Sequence, residues 1–383
     1  MFIILLQNPM NTPLNLPLLG ETFLFNFKNQ TQSNTRLHEA NTNRIITTPV
    51  NKTSISMNYE VILYYNFKHI ENPEQFCEEH KAFLKDLGAK GRVYLSDEGL
   101  NGTLGGTPEQ MKAYKEYVWN LPGFEDTEFK TDMHDTIPFA KLKCKVREEI
   151  VALHMDGVNP EDGGYHMPPN EWRETMESGE DYVMIDVRND YESKVGHFEG
   201  AVKPQVENFF DFPKWLEEKE QEIPKDKKVL MYCTGGIRCE KFSVLMKKKG
   251  WEDVNQLHGG ILNYAKEEGG EHFKGKCFVF DDRLVVPVNK DNLEPVAQCE
   301  ITGKPADNYI NCANMECNKL FVCSEEGAKL MEGCCSEECK QSEFKRPFDA
   351  ENAFRPFRKW YNYFDDEFKE RELSVPGSGG CSV

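Results

Sequence analysis

The chemistry most plainly written into this chain sits at Cys233. Val229-Leu230-Met231-Tyr232 is an apolar run of strand type, and Cys233-Thr234-Gly235-Gly236-Ile237-Arg238 follows it directly. From Glu240 to Lys249 the pattern turns helical, with Phe242, Leu245 and Met246 on one face and Gly250 as the stop. The cysteine is therefore expected at a strand-to-helix turn. There the amides of Thr234 through Arg238 can converge on its sulfur, and the positive end of the helix and Arg238 lower the cost of a thiolate. Gly235 and Gly236 suit a loop curled around an anion, which needs backbone angles or close approaches that a side chain would obstruct.

By itself Cys-x4-Arg is a weak string, and a packed structural cysteine is its commoner meaning. Four residues separate Cys233 from Arg238, one fewer than in phosphatase loops on a similar scaffold, so the smaller ring suits a sulfur-sized anion. Three flanking stretches add weight: Ile185-Asp186-Val187-Arg188 with Tyr191-Glu192, then Gly196-His197-Phe198-Glu199-Gly200-Ala201, then Leu257-His258-Gly259-Gly260-Ile261. Together with the loop they resemble the rhodanese family. Asp186, at the carboxyl end of a strand, is placed to anchor the loop or Arg188. His197 is expected to pack rather than act as a base. Cys239 either resolves an oxidised or persulfidated Cys233 as a disulfide or is a packing thiol. The catalytic sulfur is expected at the mouth of a parallel sheet, open to solvent.

A second concentration of sulfur lies downstream. Of thirteen cysteines, seven fall between Cys299 and Cys339. An odd count in a long chain argues for reduced thiols and a metal over a disulfide framework. The closely spaced pairs make Cys312, Cys317, Cys335 and Cys339 the expected ligands of one structural zinc, the alternative being free thiols around a packed loop.

The elements that must position these groups divide the chain. Residues 1–57 are mostly Asn, Thr, Gln, Pro and Ser after a short apolar start, a composition without a core, and they are expected to be disordered. Met57 stands just before the first convincing strand, so 1–56 is either a mis-called start or a genuine tail. Residues 58–150 read as a ferredoxin-like (acylphosphatase-like) α+β domain. Asn72-Pro73 and Thr107-Pro108 cap its two helices, and Gln110 completes a capping box. Near its end Lys141, Lys143, Lys145 and Arg147 alternate with Leu142, Cys144 and Val146, which puts four cations on one side of a strand. A charged edge or solvated face is the preferred reading, an RNA-contacting patch the other. Residues 178–274 read as a rhodanese-like α/β domain on a parallel sheet, with strands at Tyr182–Val187, Lys228–Tyr232 and Val254–Leu257. A cysteine-rich module (295–345) and an acidic, aromatic tail (346–383) complete the chain. In the tail Phe354, Phe357, Tyr361, Phe364 and Phe368, with Arg355, Arg358 and Lys359 among them, are expected to dock on the protein's own domains rather than stack on RNA.

A formal charge of -18 over 383 residues excludes nucleic-acid binding by bulk positive charge, so any RNA contact must be a local patch. No run is apolar for long enough to span a membrane, and a cytoplasmic location is expected.

The longer string Tyr232-Cys233-Thr234-Gly235-Gly236-Ile237-Arg238-Cys239-Glu240-Lys241 narrows the resemblance. With Ser96-Asp97-Glu98-Gly99-Leu100-Asn101-Gly102-Thr103 before it and Gly333-Cys334-Cys335-Ser336-Glu337-Glu338-Cys339 after it, the chain from about Met57 to Lys345 resembles the rhodanese-like tRNA uridine(34) hydroxylases. That resemblance implies oxygen-dependent formation of 5-hydroxyuridine at the wobble position, with Cys233 as the catalytic cysteine, as thiolate or persulfide. The implied partners are the anticodon loop of tRNA, molecular oxygen and a reductant, with Tyr232 or a tail aromatic to stack the base. No flavin or nicotinamide fingerprint appears, so no catalytic cofactor is assigned. The resemblance also implies paired cysteines where this chain has Thr302 and Gly327, so that a second metal site is reduced or absent. A plain persulfide or thiosulfate sulfurtransferase would need the loop but neither flanking block. A non-enzymatic RNA-binding or sulfur-delivery adaptor would not need the loop.

Overall fold

The computed structural model describes residues 58–357. The expectations for residues 1–57, and those for Arg358, Lys359, Tyr361, Phe364 and Phe368, fall outside them.

The first domain is β1 (Tyr59–Asn66), α1 (Pro73–Leu87), β2 (Lys90–Ser96), β3 (Gly99–Gly106), α2 (Pro108–Trp119), β4 (Phe129–His134) and β5 (Leu142–Val146). The expected caps form: Asn72 accepts from the Gln75 amide, and Thr107 and Gln110 exchange both capping-box hydrogen bonds. The sheet runs β4-β1-β3-β2-β5, antiparallel except for β5, which pairs parallel with β2 at the edge. This is the ferredoxin-like order with one strand added. Strand alternation sends Ile62, Tyr64, Val93, Leu95, Leu100 and Leu104 into one core with Leu84, Met111 and Tyr114 of the helices. Gly102 is required there, because a Cβ would fall 2.3 Å from the Tyr64 hydroxyl. The same alternation points Leu63, Tyr65, Thr103, Arg92 and Lys130 to the opposite face, away from both helices.

The second domain comprises β6 (Tyr165–Met167), α3 (Pro169–Glu177), β7 (Tyr182–Asp186), α4 (Asp190–Lys194), β8 (Gly196–Phe198), α5 (Phe212–Lys219), β9 (Lys228–Tyr232), α6 (Ile237–Lys248), β10 (Val254–Leu257), α7 (Gly260–Glu268), β11 (Phe273–Phe278) and β12 (Val285–Pro287). Its strands pair in parallel, as the alternation of strands and helices implies, in the order β6-β10-β9-β7. The sheet begins at Tyr165, earlier than the expected Ser178. A three-residue strand carries too little periodicity to be read, yet β6 pairs in register with β10. A second sheet, β12-β11-β8, extends the fold beyond Lys274.

Helix α6 is buried from Arg238 to Met246, polar and apolar residues alike. Phe242, Leu245 and Met246 join the rhodanese core, while Lys241 reaches the first domain, bonding Glu98, Glu149 and the Val151 carbonyl at 2.9, 2.5 and 3.0 Å. The helix that follows the loop is thus clamped between two domains.

The cysteine-rich module has two small ribbons, β13 (Ala297–Gln298) with β14 (Pro305–Ala306) and β15 (Tyr309–Asn311) with β16 (Leu320–Val322), followed by α8 (Glu325–Leu330) and α9 (Glu337–Lys340). Phe354 and Phe357 pack on this module, as docking of the tail predicts. No helix among the described residues is long and apolar enough to cross a membrane.

Candidate active site

Strand β9 is buried on both faces of its sheet, which is why it reads as a continuous apolar run. It delivers Cys233 to the turn before α6, and the turn is pinned from below. The Ile261 and Leu262 amides of α7 donate to the carbonyls of Cys233 and Thr234 at 3.0 and 3.2 Å. Gly260 permits that approach, since a Cβ would lie 2.6 Å from the Cys233 carbonyl oxygen.

The Gly236 amide donates to the Cys233 sulfur at 3.1 Å. Burial would raise the pKa of this thiol, but the Cys239 thiol, the Arg238 charge and the amides of Arg238 and Gly236 outweigh burial and bring it down to about 5. Cys277 shows the contrast: it too is fully buried, and burial, with little donor help, pushes it up to about 11. Cys239 stands well above its ordinary value through burial and its bond to the Cys233 sulfur, so it is the proton-bearing partner.

Arg238 reaches the sulfur through its charge and its amide. Its guanidinium is held by Glu192, bonded at Nη1 to Oε1 and at Nη2 to Oε2, the latter at 2.9 Å. Glu192, fully buried, also accepts from Thr234 Oγ1 at 3.3 Å and from the Asn189 amide at 3.2 Å. It is the organising carboxylate of the loop. The sequence flagged it only as part of the Tyr191-Glu192 signature, because its partners lie more than forty positions away. Asp186 anchors Arg188 through two bonds of 2.8 and 2.6 Å and accepts from the Tyr232 hydroxyl at 2.9 Å. Tyr232 therefore points into the core among Trp172 and Phe198, and the expectation that it stacks on a base is corrected. His197 is tied to the Ser193 carbonyl at 2.9 Å and lies 3.1 Å from Lys203 Nζ, a packing role as expected.

The expectation of a sulfur open to solvent is also corrected: Cys233 is 0% exposed. The cover comes from β1 of the first domain. A Cβ on Gly235 would lie 2.5 Å from Leu63 Cδ2, and one on Gly236, at φ +105°, would lie 2.7 Å from the Tyr65 hydroxyl. Tyr65 donates to Glu240 Oε1 at 2.7 Å, and His166 Nε2 meets the same carboxylate at 3.0 Å. Around this lid lie Lys130, its Nζ 4.8 Å from the Tyr65 ring centre, and His258, 3.2 Å from Glu128. Burial lowers the pKa of Lys130 despite Glu128, Glu240 and the Cys233 thiolate nearby. None of Leu63, Tyr65 or Lys130 was picked from sequence, since nothing local links β1 or β4 to a loop so far along the chain. The Ser96–Thr103 block works at the same junction: Glu98 accepts from the Ile150 amide at 2.7 Å, and Asn101 donates to the Ile150 carbonyl at 3.0 Å.

In the cysteine-rich module the sulfurs of Cys312, Cys317, Cys335 and Cys339 all lie within 4.8 Å of one another. Tetrahedral zinc with bonds of about 2.3 Å needs sulfurs roughly 3.8 Å apart, so the cluster fits such an ion. Cys299 and Cys323 form a separate pair at 4.0 Å, with Thr302 and Gly327 beside them.

A buried cysteine at the end of a strand in a four-strand parallel sheet, followed by an amide-lined turn and a paired arginine, defines a rhodanese-type cysteine protein. Residues 169–267 match the family described as rhodanese-like domain, residues 274–340 the rhodanase C-terminal family, and residues 59–150 the UPF0176 acylphosphatase like domain. A tRNA uridine(34) hydroxylase of Bacillus licheniformis is 46% identical over 286 residues, 74% of this chain and 88% of that protein. One from Bacillus thuringiensis is 47% identical over 288 residues, 74% of this chain and 90% of its own. The chain belongs to the tRNA uridine(34) hydroxylase family.

Proposed function

We propose that this protein is an oxidoreductase that hydroxylates the wobble uridine of tRNA to 5-hydroxyuridine, consuming molecular oxygen and acting in the cytoplasm. What supports the reading is the Cys233 sulfur, which accepts from the Gly236 amide beside the Glu192-ordered Arg238, in a chain that matches the acylphosphatase-like, rhodanese-like and rhodanase C-terminal families in turn.

A nucleophilic sulfur on Cys233, thiolate or persulfide, adds to C6 of uracil, and the electron pair moves to C5, which is now rich enough to meet oxygen. One oxygen atom stays on C5 as hydroxyl. The other leaves as water, with two electrons from a reductant and two protons. Loss of the C5 proton then expels the sulfur from C6 and restores the double bond. The base enters unstacked, which a single-stranded anticodon loop permits at low cost. Because Leu63 and Tyr65 cover the loop, entry requires the first domain to yield at β1.

Cys312, Cys317, Cys335 and Cys339 would hold one structural zinc, which would add a cross-link between the end of β15 and α9 beside the module's apolar cluster and take no part in the chemistry. Catalysis is assigned no further cofactor.

The test is mass analysis of wobble uridine in tRNA from cells lacking the protein, complemented with wild type or Cys233→Ser. Wild type restores 5-hydroxyuridine. Restoration by the serine form would refute thiol catalysis. Trapping on 5-fluorouridine tRNA checks the addition step, and the absence of an adduct sinks it.

A further inference from the structure

We infer that the face of the first-domain sheet turned away from its helices is the track on which the anticodon strand lies, with Arg92, Lys143 and Lys145 as phosphate contacts. The inference rests on the proposed function.

The strand registers set out one continuous row across the sheet: Lys130, Leu63, Thr103, Arg92, Lys143. Leu63 in that row is the residue seated on Gly235 of the catalytic loop. The next row runs Tyr65, Asn101, Tyr94, Lys145, and Tyr65 in it lies against Gly236. Both rows therefore begin at the cover of the sulfur and end in cations. Neighbouring strands are about 4.8 Å apart, so Arg92 and Lys143 stand roughly 10 and 14 Å from Leu63, on the scale of the phosphates that flank a base held at the loop.

Composition points the same way. The chain is acidic at -18, yet neither β2 nor β5 contains an Asp or Glu. A charged edge guarding against strand pairing explains lysines on β5, which is the edge strand. It does not explain Arg92 and Tyr94, which lie on β2 between β3 and β5. Tyr94 carries the Arg147 guanidinium 5.3 Å from its ring centre, and both a tyrosine face and a guanidinium plane stack on bases. Lys145 and Arg147 are exposed, and Arg92, Tyr94 and Lys143 are partly so. A structured protein partner would look for apolar anchors on such a surface. Cations with one aromatic fit single-stranded RNA better.

The experiment measures binding of the full chain to an unmodified anticodon stem-loop RNA across a KCl series. It compares wild type, the triple variant Arg92→Ala/Lys143→Ala/Lys145→Ala, and Lys112→Ala, a 78% exposed lysine of α2 on the helical side of the sheet. The triple variant should bind about 10-fold or more weaker, with a log Kd against log salt slope smaller by about 2, since each lost single-strand phosphate contact removes about 0.7. KM for tRNA should rise with kcat nearly unchanged, and Lys112→Ala should match wild type. The pH midpoint of Cys233 alkylation reports an intact loop. Should the triple variant melt below the assay temperature, the exposed Lys145→Glu substitution replaces it with the same expected direction. A folded variant that binds like wild type overturns the track and leaves the proposed function standing. Wild type that binds no RNA overturns both.

Discussion

Around Cys233 a single sulfur gathers donors: the Gly236 and Arg238 amides, the Cys239 thiol and a guanidinium fixed by Glu192. In the cysteine-rich module four sulfurs gather on one another, with donors spread among them, such as the Cys335 amide to Cys312 at 3.4 Å and Asn314 Nδ2 to Cys339 at 3.5 Å. Fixed dipoles stabilise a negative sulfur while leaving its lone pairs free to attack. Convergent thiolates repel unless a cation binds them all, and a cation that does so occupies those lone pairs. The same element is set among donors in one region and among its own kind in the other, which is the contrast the proposed reaction and the proposed zinc rest on.

The strongest test of the contrast is to remove one sulfur from each setting. Cys233→Ser should lower kcat/KM for tRNA hydroxylation by about 10³-fold or more, the scale on which enzymes lose activity without their nucleophile. Cys277→Ser, equally buried beside the loop but with its thiol pushed up to about 11, should keep activity within a few-fold. Equal losses in the two variants would mean that burial, not the donor set, governs this region. On the structural side, Cys335→Ser should lower the zinc content per chain and the melting temperature together. The stability lost is several kcal/mol, a fraction of the roughly 10 kcal/mol or more that such sites bind with. Alkylation of Cys233 should be untouched. A zinc-free wild type of unchanged stability defeats the metal reading.

The donor set also makes a prediction about pH. The Cys233 pKa falls from an ordinary 9.0 to about 5 in the fold, so the unfolded chain binds more protons between those values. Folding stability attributable to this group is fully present above about pH 9 and drains away as pH falls through about 5. Chemical denaturation of wild type and Cys233→Ser at several pH values should show curves that converge toward pH 5. Parallel curves would place the thiol at its ordinary value.

What could be read from the chain beforehand divides along sequence distance. The Cys233 loop was legible because strand, turn and helix occupy one contiguous stretch, and Lys228–Tyr232 was placed residue for residue. The four sulfurs were legible because two closely spaced pairs need only one loop closure between them. The capping of α1 and α2 was local as well. Burial of the Cys233 sulfur is not legible, since Leu63 and Tyr65 lie some 170 positions before the glycines they cover. The inward turn of Tyr232 is not legible either, because only the fold shows Asp186 taking its hydroxyl. Local chemistry was written in the string; what faces it was written in the topology.

Between the two regions in size of effect stands Gly236. Its φ of +105° and the 2.7 Å approach of the Tyr65 hydroxyl leave no room for a methyl group. Gly236→Ala should cost about 1 to 3 kcal/mol from the backbone conformation alone and raise the pH midpoint of Cys233 alkylation as the amide turns away. The structural sulfurs should not notice: zinc content should hold. A variant with a normal midpoint would show that Gly236 matters for packing only.

The smallest expected effect sharpens the role of the lid. Tyr65→Phe removes one hydrogen bond, the 2.7 Å contact to Glu240, at about 1 kcal/mol. It leaves the ring, Leu63 and the loop donors in place. Burial first, and then Glu240, hold the Tyr65 pKa well above its ordinary value, so the phenol stays protonated and supplies no base. Its hydroxyl instead fastens β1 to α6 over a sulfur that must be uncovered for substrate. If that fastening limits access, Tyr65→Phe should speed Cys233 alkylation by about 5-fold, the equivalent of about 1 kcal/mol at 1.4 kcal/mol per tenfold, while the pH midpoint stays near 5. An unchanged rate would mean that the cover opens elsewhere, and a shifted midpoint would move Tyr65 from the lid into the donor set.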